Sequence, residues 1–445
     1  MRVRAYLRQI GDALHRDQKL GGIILLINAP RGTKDILPDQ TGNWQAIERT
    51  IRKVCGQYGY DEIRTPIFEH TELFQRGIGE GTDVVDKEMY TFTDRGNRSI
   101  TLRPENTASV IRAYLQNKLY SASTLVKLFY IGSMFRYDRP QAGRLREFHQ
   151  FGVEAIGEEN PAVDAEVILL SLELLREFGL DGLTLKLNTV GCPKCRPVYR
   201  QKLTHYFSDK LDELCGDCRT RFEKNPMRIL DCKVDGGKDI MEDAPKIKDC
   251  LCNDCREHFN KVQQLLKAAG VEYELDARLV RGLDYYTKTA FEIRCDELGA
   301  QAAIAGGGRY DGLIEELGGI STPAIGFALG IERLLIALEK KNLLPTVERS
   351  LDGFVVSMGA DAYAFELLLK LRRAGLTALM DFAQRSMKAQ MKQAAKSGAR
   401  FALIVGENEV NDRTVTLKNL STGEQQSVAF DDVTHSIQHG VTVQE

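Results

Sequence analysis

Between Phe135 and Glu154 the chain reads FRYDRPQAGRLREFHQFGVE, a stretch with four arginines, no lysine, two glycines and one proline. Guanidinium forks match phosphate oxygens in two-point contacts that an ammonium group cannot reproduce. Single arginines near a turn are ordinarily solvated surface charge, so the residues around them decide the reading. If Arg146 to Ile156 is extended, residues two apart share a face, and Phe148, Gln150, Gly152 and Glu154 line up on one side. An aromatic plate, an amide, a gap and a carboxylate then look the same way. Glycine weakens a strand and marks a place where something comes close to the backbone, so this face is expected to hold a ligand. On the preceding segment Gly132, Met134 and Arg136 share a face, and the loop between adds Arg139 and Arg144.

These side chains need a frame. Leu125 to Tyr137 and Arg146 to Ile156 read as two strands joined by Asp138 to Leu145, whose Pro140 and Gly143 predict a hairpin longer than the tightest turns. Upstream, Trp44, Ile47, Ile51, Val54, Cys55 and Tyr58 recur at helical spacing until Gly59, and a strand is expected over Ile63 to Pro66. Downstream, Asn160-Pro161 supplies a cap and a first-turn proline for a helix through Phe178. Further strands at 183–187, 289–294, 302–305 and 324–329, with few helices between them, predict a largely antiparallel sheet. A helix follows over Ile331 to Lys340. After Pro345, alternating strand and helix patterns predict a separate small α/β domain.

The chain's 445 residues suffice for two or three domains, and 43% hydrophobic with 27% charged residues is ordinary soluble composition. A net charge of −2 supplies no attractive field for a polyanion, so nucleic-acid binding has to rest on local basic patches. The apolar run GGIILLINAP is far shorter than the roughly 18 residues a membrane span needs. With no cleavable signal visible, a cytoplasmic protein is expected.

Eight of the ten cysteines fall between Cys192 and Cys255. In a reducing compartment this points to metal binding or packing rather than disulfides. Cys192-x2-Cys195-x19-Cys215-x2-Cys218 has the spacing of a structural zinc site. Buried thiols are the other reading, and Cys232, Cys250, Cys252 and Cys255 are surplus to a single site.

The Phe135-Arg136-Tyr137-Asp138 strand end, its loop and Phe148 to Glu154 resemble motif 2 of the class II aminoacyl-tRNA synthetases, specifically the histidyl branch. Other matches follow in order. Arg31 to Asp35 (RGTKD) resembles the opening segment, Glu48 to Pro66 resembles motif 1, and Leu102 to Thr107 (LRPENT) resembles the substrate-ammonium loop. LVRGLDYYTKTAFE, from Leu279 to Glu292, is similar to the histidine-specific signature. AGGGRYD, from Ala305 to Asp311, resembles a second such motif, and GFALGIER, from Gly326 to Arg333, resembles motif 3.

The resemblance implies an α/β (α+β) protein with an antiparallel-sheet catalytic core at 29–190 and 275–342, a cysteine-rich insertion at 191–274 and an anticodon-binding domain at 350–445. It implies activation of L-histidine with ATP and Mg2+ to histidyl-adenylate, then transfer to tRNA(His), by a homodimer joined through motif 1. Arg136 and Arg281 are implied on the α-phosphate as catalytic groups, with Gln150 beside them; Phe148 against adenine; Arg333 across the nucleotide; and Arg144 near the distal phosphates. For histidine, Glu105, Thr107 and Gln150 are implied at the ammonium, Arg281 at the carboxylate, and Glu154, Tyr286 and Tyr310 at the imidazole, with Tyr285 adjacent. Asp138 departs from the glutamate many class II enzymes carry there. Gln141 is implied near the tRNA acceptor end, while Arg385, Lys388 and Lys392 are expected at tRNA phosphates, although scattered cations on a helix are also the composition of a solvated face. Residues 1–28 match nothing in the family; one reading takes Gly21-Gly22-Ile23 as a translated ribosome-binding site, with a true start near Leu25 to Ile27, and the other takes the segment as a short real extension. Two rivals are disfavoured by the sequence: a non-catalytic regulatory paralogue of histidine biosynthesis, by the retained Arg136, Arg281 and Arg333 and the tail after Leu351, and a synthetase for another amino acid, by the RGLDYYT segment.

Overall fold

The computed structural model describes residues 26–79, 82, 84–141, 143–232, 234–345 and 351–439. The extra N-terminal segment, 1–28, therefore lies outside the described residues except for its last three. The described residues form two compact units that divide after Pro345.

In the first unit, helix α1 (Thr41–Gln57) buries Ile47, Ile51, Val54 and Cys55, the stripe its periodicity predicts. Gly59, at φ +75°, turns the chain into the short strand β1 (Asp61–Glu62). The strand expected over Ile63 to Pro66 ends earlier: the Ile63 amide still donates to the Phe129 carbonyl at 2.8 Å, but Pro66 has no N–H to continue a ladder. Strands β2 (Phe68–His70), β3 (Tyr90–Thr93) and β4 (Ser99–Leu102) form a separate small sheet, ordered β2-β4-β3, that leads into helix α2 (Thr107–Gln116).

The arginine-rich hairpin is β5 (Val126–Phe135) and β6 (Glu147–Ile156), paired without a break from Val126↔Ile156 to Phe135↔Glu147. Helix α3 (Pro161–Glu177) starts as predicted, with the Asn160 side chain accepting from the Ala162 amide at 3.0 Å. Next come β7 (Thr184–Thr189), the insertion with helix α4 (Asn253–Ala268), and β8 (Glu274–Leu275). Strands β9 (Thr287–Arg294), β10 (Ala303–Arg309) and β11 (Ala324–Gly330) and helix α5 (Ile331–Lys340) complete the unit. The eight-stranded sheet runs β1-β5-β6-β11-β10-β9-β7-β8. Only its outermost pairs, β1 with β5 and β7 with β8, are parallel, as the expectation of a largely antiparallel sheet required.

Helices α1, α3, α4 and α5 pack with the sheet into one core, where Phe151, Val153 and Ala155 of β6 join Ile47, Leu170 and Phe327. Because strand side chains alternate, the intervening residues Phe148, Gln150 and Glu154 are left to the other face.

The second unit is a five-stranded sheet ordered β13-β12-β14-β15-β16. Here β12 is Leu351–Ser357, β13 Ala378–Met380, β14 Ala399–Val405, β15 Thr414–Asn419 and β16 Gln425–Ala429. The first three strands are parallel, joined through helices α6 (Asp361–Arg373) and α7 (Met387–Lys396); β15 and β16 add antiparallel. Of the tail cations, Arg385 is held by Asp381 at 3.4 Å, whereas Lys388 and Lys392 are exposed on α7.

Candidate active site

The free face of the large sheet floors a cavity of about 630 Å³. All twelve residues expected to handle nucleotide and amino acid line it: Glu105, Thr107, Arg136, Arg144, Phe148, Gln150, Glu154, Arg281, Tyr285, Tyr286, Tyr310 and Arg333. Residues some 230 positions apart in sequence meet because β6, β10 and β11 are neighbours in the sheet.

At one end lies an acidic pocket. Glu154 is buried, accepts a hydrogen bond from the Thr107 hydroxyl at 2.8 Å, and accepts a second from the Tyr310 hydroxyl. Burial pushes its carboxyl up to about 8, even though both hydrogen bonds act in the other direction. Room for this carboxylate comes from Gly326 on β11, where a Cβ would sit 2.1 Å from Glu154 Oε2. Glu105, also buried and raised by burial, receives the backbone amides of Thr107 and Ala108 at 2.7 and 2.9 Å, so it caps the start of α2 while its carboxylate edges the cavity. Thr107, expected at an ammonium group, donates its hydroxyl proton to Glu154 and keeps oxygen lone pairs that can accept. Gln150 Oε1 is buried with no hydrogen-bond partner among the described residues, an acceptor left over for a ligand. Tyr285 packs its ring 4.6 Å from Tyr286 and 5.6 Å from Tyr310.

At the other end the cavity is cationic. Arg136 follows directly on β5, donates from Nε to the Pro104 carbonyl at 2.8 Å and holds its guanidinium 5.4 Å from the Phe148 ring centre. Arg144 in the hairpin loop donates to Asp138 Oδ2 at 2.9 Å, so Asp138, where the family pattern has glutamate, orients an arginine. Arg333 stands in the first turn of α5; burial lowers its guanidinium from the ordinary value, and the like charge of Arg144 adds to this. Two cations facing each other beside a helix N-terminus are the environment a polyphosphate stabilises. Arg281, from the segment between β8 and β9, bridges the two ends. Its Nη1 donates to Glu292 at 3.2 Å, its guanidinium lies 5.8 Å from the Tyr286 ring centre, and its Nε is buried with no hydrogen-bond partner among the described residues.

A triple-glycine run such as Gly306 to Gly308 suits close approach of a ligand to the backbone. The structure puts the chain's own side chains there: a Cβ at Gly306 would lie 2.5 Å from Arg281 Nη2, and one at Gly308 would lie 2.9 Å from the Tyr286 ring. Likewise Gly152, the gap on β6, is filled by the Tyr130 hydroxyl, 2.4 Å from where a Cβ would stand. Tyr130, a cavity residue the sequence reading missed, was signalled by that glycine, since Tyr130 is its cross-strand partner. Glu292 was missed as Arg281's partner. So was Glu332 of α5, which accepts from the His149 amide at 2.9 Å while its carboxylate also meets the His149 ring, itself edge-on to Trp44 of α1 at 4.7 Å. This chain of contacts ties the motif 1 helix, the motif 2 strand and the motif 3 helix together.

The expected metal set is corrected. Cys192 and Cys195 do not meet Cys215 and Cys218; they cluster with Cys252 and Cys255, while Cys215 and Cys218 cluster with Cys232 and Asp235. The linear spacing misled because a 13-residue helix, Arg196–Ser208, follows Cys195 and carries the chain about 20 Å away. The return of the insertion brings Cys252 back.

Residues 32–334 match the histidyl-tRNA synthetase family, and residues 352–439 match the anticodon binding domain. The chain is 53% identical over 420 residues to a histidine--tRNA ligase of Pelotomaculum thermopropionicum, covering 94% of this chain and 99% of that one. It is 54% identical over 408 residues to that of Desulforamulus reducens, covering 91% and 97%. The apo histidyl-tRNA synthetase structure from S. aureus superimposes with a TM-score of 0.79 at 43% identity, covering 93% of this chain and all of that one. A cavity with an acidic end and a cationic end, reached in the same motif order along nearly the whole length of these relatives, leaves one assignment: the chain belongs to the histidyl-tRNA synthetase family.

Proposed function

We propose that this cavity performs both steps of histidine ligation to tRNA(His), its arginines gripping the nucleotide while its buried acids select the amino acid. The chain is a histidine--tRNA ligase by family, and its reaction passes through histidyl-adenylate with release of diphosphate and then AMP. The observation that carries the reading is the convergence of Arg136, Arg144, Arg281 and Arg333 on the cavity that also buries Glu154.

In the first step a histidine carboxylate oxygen bonds to the α-phosphorus of ATP and the bond to diphosphate breaks. An α-carboxyl has a pKa of about 3.5, so no general base is needed. What the site supplies is alignment and cations where negative charge builds up. Arg136 and Arg281 approach the α-phosphate from two sides, and Arg281 also reaches the histidine carboxylate. Phe148 stacks on adenine, with Arg333 covering the opposite side and Arg144 at the distal phosphates. Gln150 and Glu105 take the ammonium; Glu154, with Tyr310 and Tyr286, takes the imidazole. In the second step the terminal ribose hydroxyl of tRNA attacks the acyl carbon and AMP departs.

Magnesium accompanies ATP in this chemistry and offsets phosphate charge. Asp138 and Glu292 on the cavity wall are already paired with arginines, which fits an ion held mainly by phosphate oxygens and water. In this reading Gln141, whose backbone exchanges hydrogen bonds with Arg144 across the loop, meets the acceptor end. Lys388 and Lys392 offer phosphate contacts in the anticodon unit.

A homodimer through the motif 1 region is part of this reading. It is supported by Ile67, Phe68 and Phe92, three large apolar side chains about half exposed on and beside the small sheet. A monomer in sedimentation at assay concentration would contradict it. Among the described residues no helix is long and apolar enough to cross a membrane. Action in the cytoplasm is part of this reading, supported by ten cysteines none of which is paired in a disulfide.

Histidine-dependent exchange of labelled diphosphate into ATP tests the whole reading. A non-catalytic regulatory paralogue shows no exchange, and a synthetase of other specificity responds to another amino acid.

Glu154→Gln separates binding from folding. The folded carboxyl titrates near 8 against an ordinary 4.5, so the folded chain keeps a proton that the unfolded chain releases, and stability falls as pH rises between those values. The glutamine variant is expected to lose that slope and to unfold at higher denaturant than the parent at pH 8. Its histidine affinity should nevertheless drop about 10- to 100-fold, because an amide cannot release a proton and become the charged partner that a bound imidazole N–H stabilises. Calorimetric titration with unchanged histidine affinity would remove Glu154 from recognition.

A further inference from the structure

We infer that the insertion holds two structural zinc ions, one bound by Cys192, Cys195, Cys252 and Cys255 and the other by Cys215, Cys218, Cys232 and Asp235. In each group the four ligand atoms lie within 4.8 Å of one another. Cys192 Sγ is 3.6 Å from Cys195 Sγ and 3.8 Å from Cys252 Sγ, and Cys215 Sγ is 3.7 Å from Cys232 Sγ. A tetrahedron with Zn–S bonds of about 2.3 Å has edges of about 3.8 Å, whereas a disulfide brings its sulfurs to about 2.05 Å. In the second group Asp235 supplies the fourth corner, with Oδ2 at 3.8 Å from Cys232 Sγ.

The surroundings suit a dianionic cluster. Cys195, Cys215 and Cys252 each immediately precede a helix, of 13, 9 and 16 residues, so the unpaired N–H groups and positive dipole ends face the sulfurs. The Cys252 amide donates to Cys195 Sγ at 3.2 Å. Asp235 is fully buried; its Oδ2 accepts from the Cys215 amide at 2.9 Å and its Oδ1 meets Lys238 at 2.7 Å. Such outer contacts fix a ligand's orientation toward a metal.

The two ions have different work. The first closes the neck of the insertion, where the chain leaves β7 and comes back into α4, which packs in the main core. The second stands at the wall of the catalytic cavity, because Cys232 itself lines it beside Asp231 and Val234. The insertion's own core is small, nine large buried apolar side chains with Tyr199, Leu203 and Phe207 among them, and the buried thiols of Cys195, Cys218, Cys232 and Cys255 belong to it. Small segments of this kind are commonly held by metal.

Metal analysis of the full-length protein, purified without chelator or added metal, tests this by mass spectrometry of the elements. Two zinc ions per chain are expected, and cobalt substitution should give the intense visible bands of tetrahedral thiolate coordination. Cys255→Ser and Cys218→Ser should each lower the zinc content to about one per chain, and the double variant should abolish it. A parent protein without bound zinc, whose cysteines react at once with a thiol reagent or are found as disulfides, would overturn the inference. Retention of two zinc ions by either single variant would overturn the ligand partition. The parent measurement stands even if a variant fails to fold.

Discussion

Arg281→Ala is expected to lower histidine-dependent diphosphate exchange by about 10²- to 10³-fold, the usual cost of deleting one preorganised charge-stabilising donor. Thermal unfolding should move little, because Arg281 and its ion-pair partner Glu292 both line the open cavity, where water can solvate the carboxylate left behind. The side chain has little freedom: Glu292 holds one nitrogen, Tyr286 flanks the plane, and the absent side chain of Gly306 leaves the slot it occupies. Lysine at the same position keeps the charge but loses the fork that spans a phosphate and a carboxylate together, so Arg281→Lys should recover only a small part of the rate. Gly306→Ala, which neither adds nor removes a charge, should push the guanidinium aside and reproduce much of the defect. Exchange within a few-fold of the parent in Arg281→Ala would exclude this residue from the reacting centre.

The second large effect is on folding. Arg309 of β10 is completely buried and is met by Asp164 of α3 through Nε at 3.1 and 3.2 Å, while Nη1 donates to the Glu158 carbonyl at 3.0 Å and to Asp311 at 3.2 Å. His258 of α4 adds a contact to the same aspartate at 3.1 Å. Burial alone would raise the Asp164 carboxyl, but His258 and Arg309 outweigh it and hold the group below its ordinary range. Asp164→Ala leaves a guanidinium buried without its main counter-ion, and should destabilise the first unit by about 3–5 kcal/mol in chemical denaturation. The sign with pH follows from the lowered pKa: the stability from this group is fully present above the ordinary carboxylate value and is lost as pH falls through the folded one. Joint replacement by Asp164→Leu and Arg309→Met should restore most of the loss, since a packed apolar pair replaces a buried ion pair at little cost. A loss below about 1 kcal/mol in the alanine variant would show that the pair does not hold helix to sheet.

Arg309 also illustrates what can be read from a sequence and what cannot. AGGGRYD was recognisable as a motif, yet its arginine turns away from the cavity while the adjacent Tyr310 enters it, and a strand's alternation says that neighbours diverge without saying which one faces the core. On β6 the direction was legible, because Phe151, Val153 and Ala155 are apolar at every second place and leave Phe148, Gln150 and Glu154 the other side. Local signals of this kind also fixed α1, α3 and the hairpin to within two residues. Contacts that join distant segments were not legible: Glu292 under Arg281, Glu332 on His149, and the grouping of the thiols all depend on which strands and helices become neighbours. Nor did spacing mark β15 and β16, which extend the second sheet after Val405.

Gly326 and Gly306 give the pocket a vulnerability that a survey of ligand contacts would overlook. Neither has an atom beyond the backbone to offer histidine or nucleotide, yet a single added methyl group at either would collide with Glu154 or Arg281. Saturation mutagenesis should therefore score both as intolerant to every replacement, including the smallest. Attempts to widen amino-acid choice by redesigning Glu154 would have to keep this empty volume or relocate the acid with it.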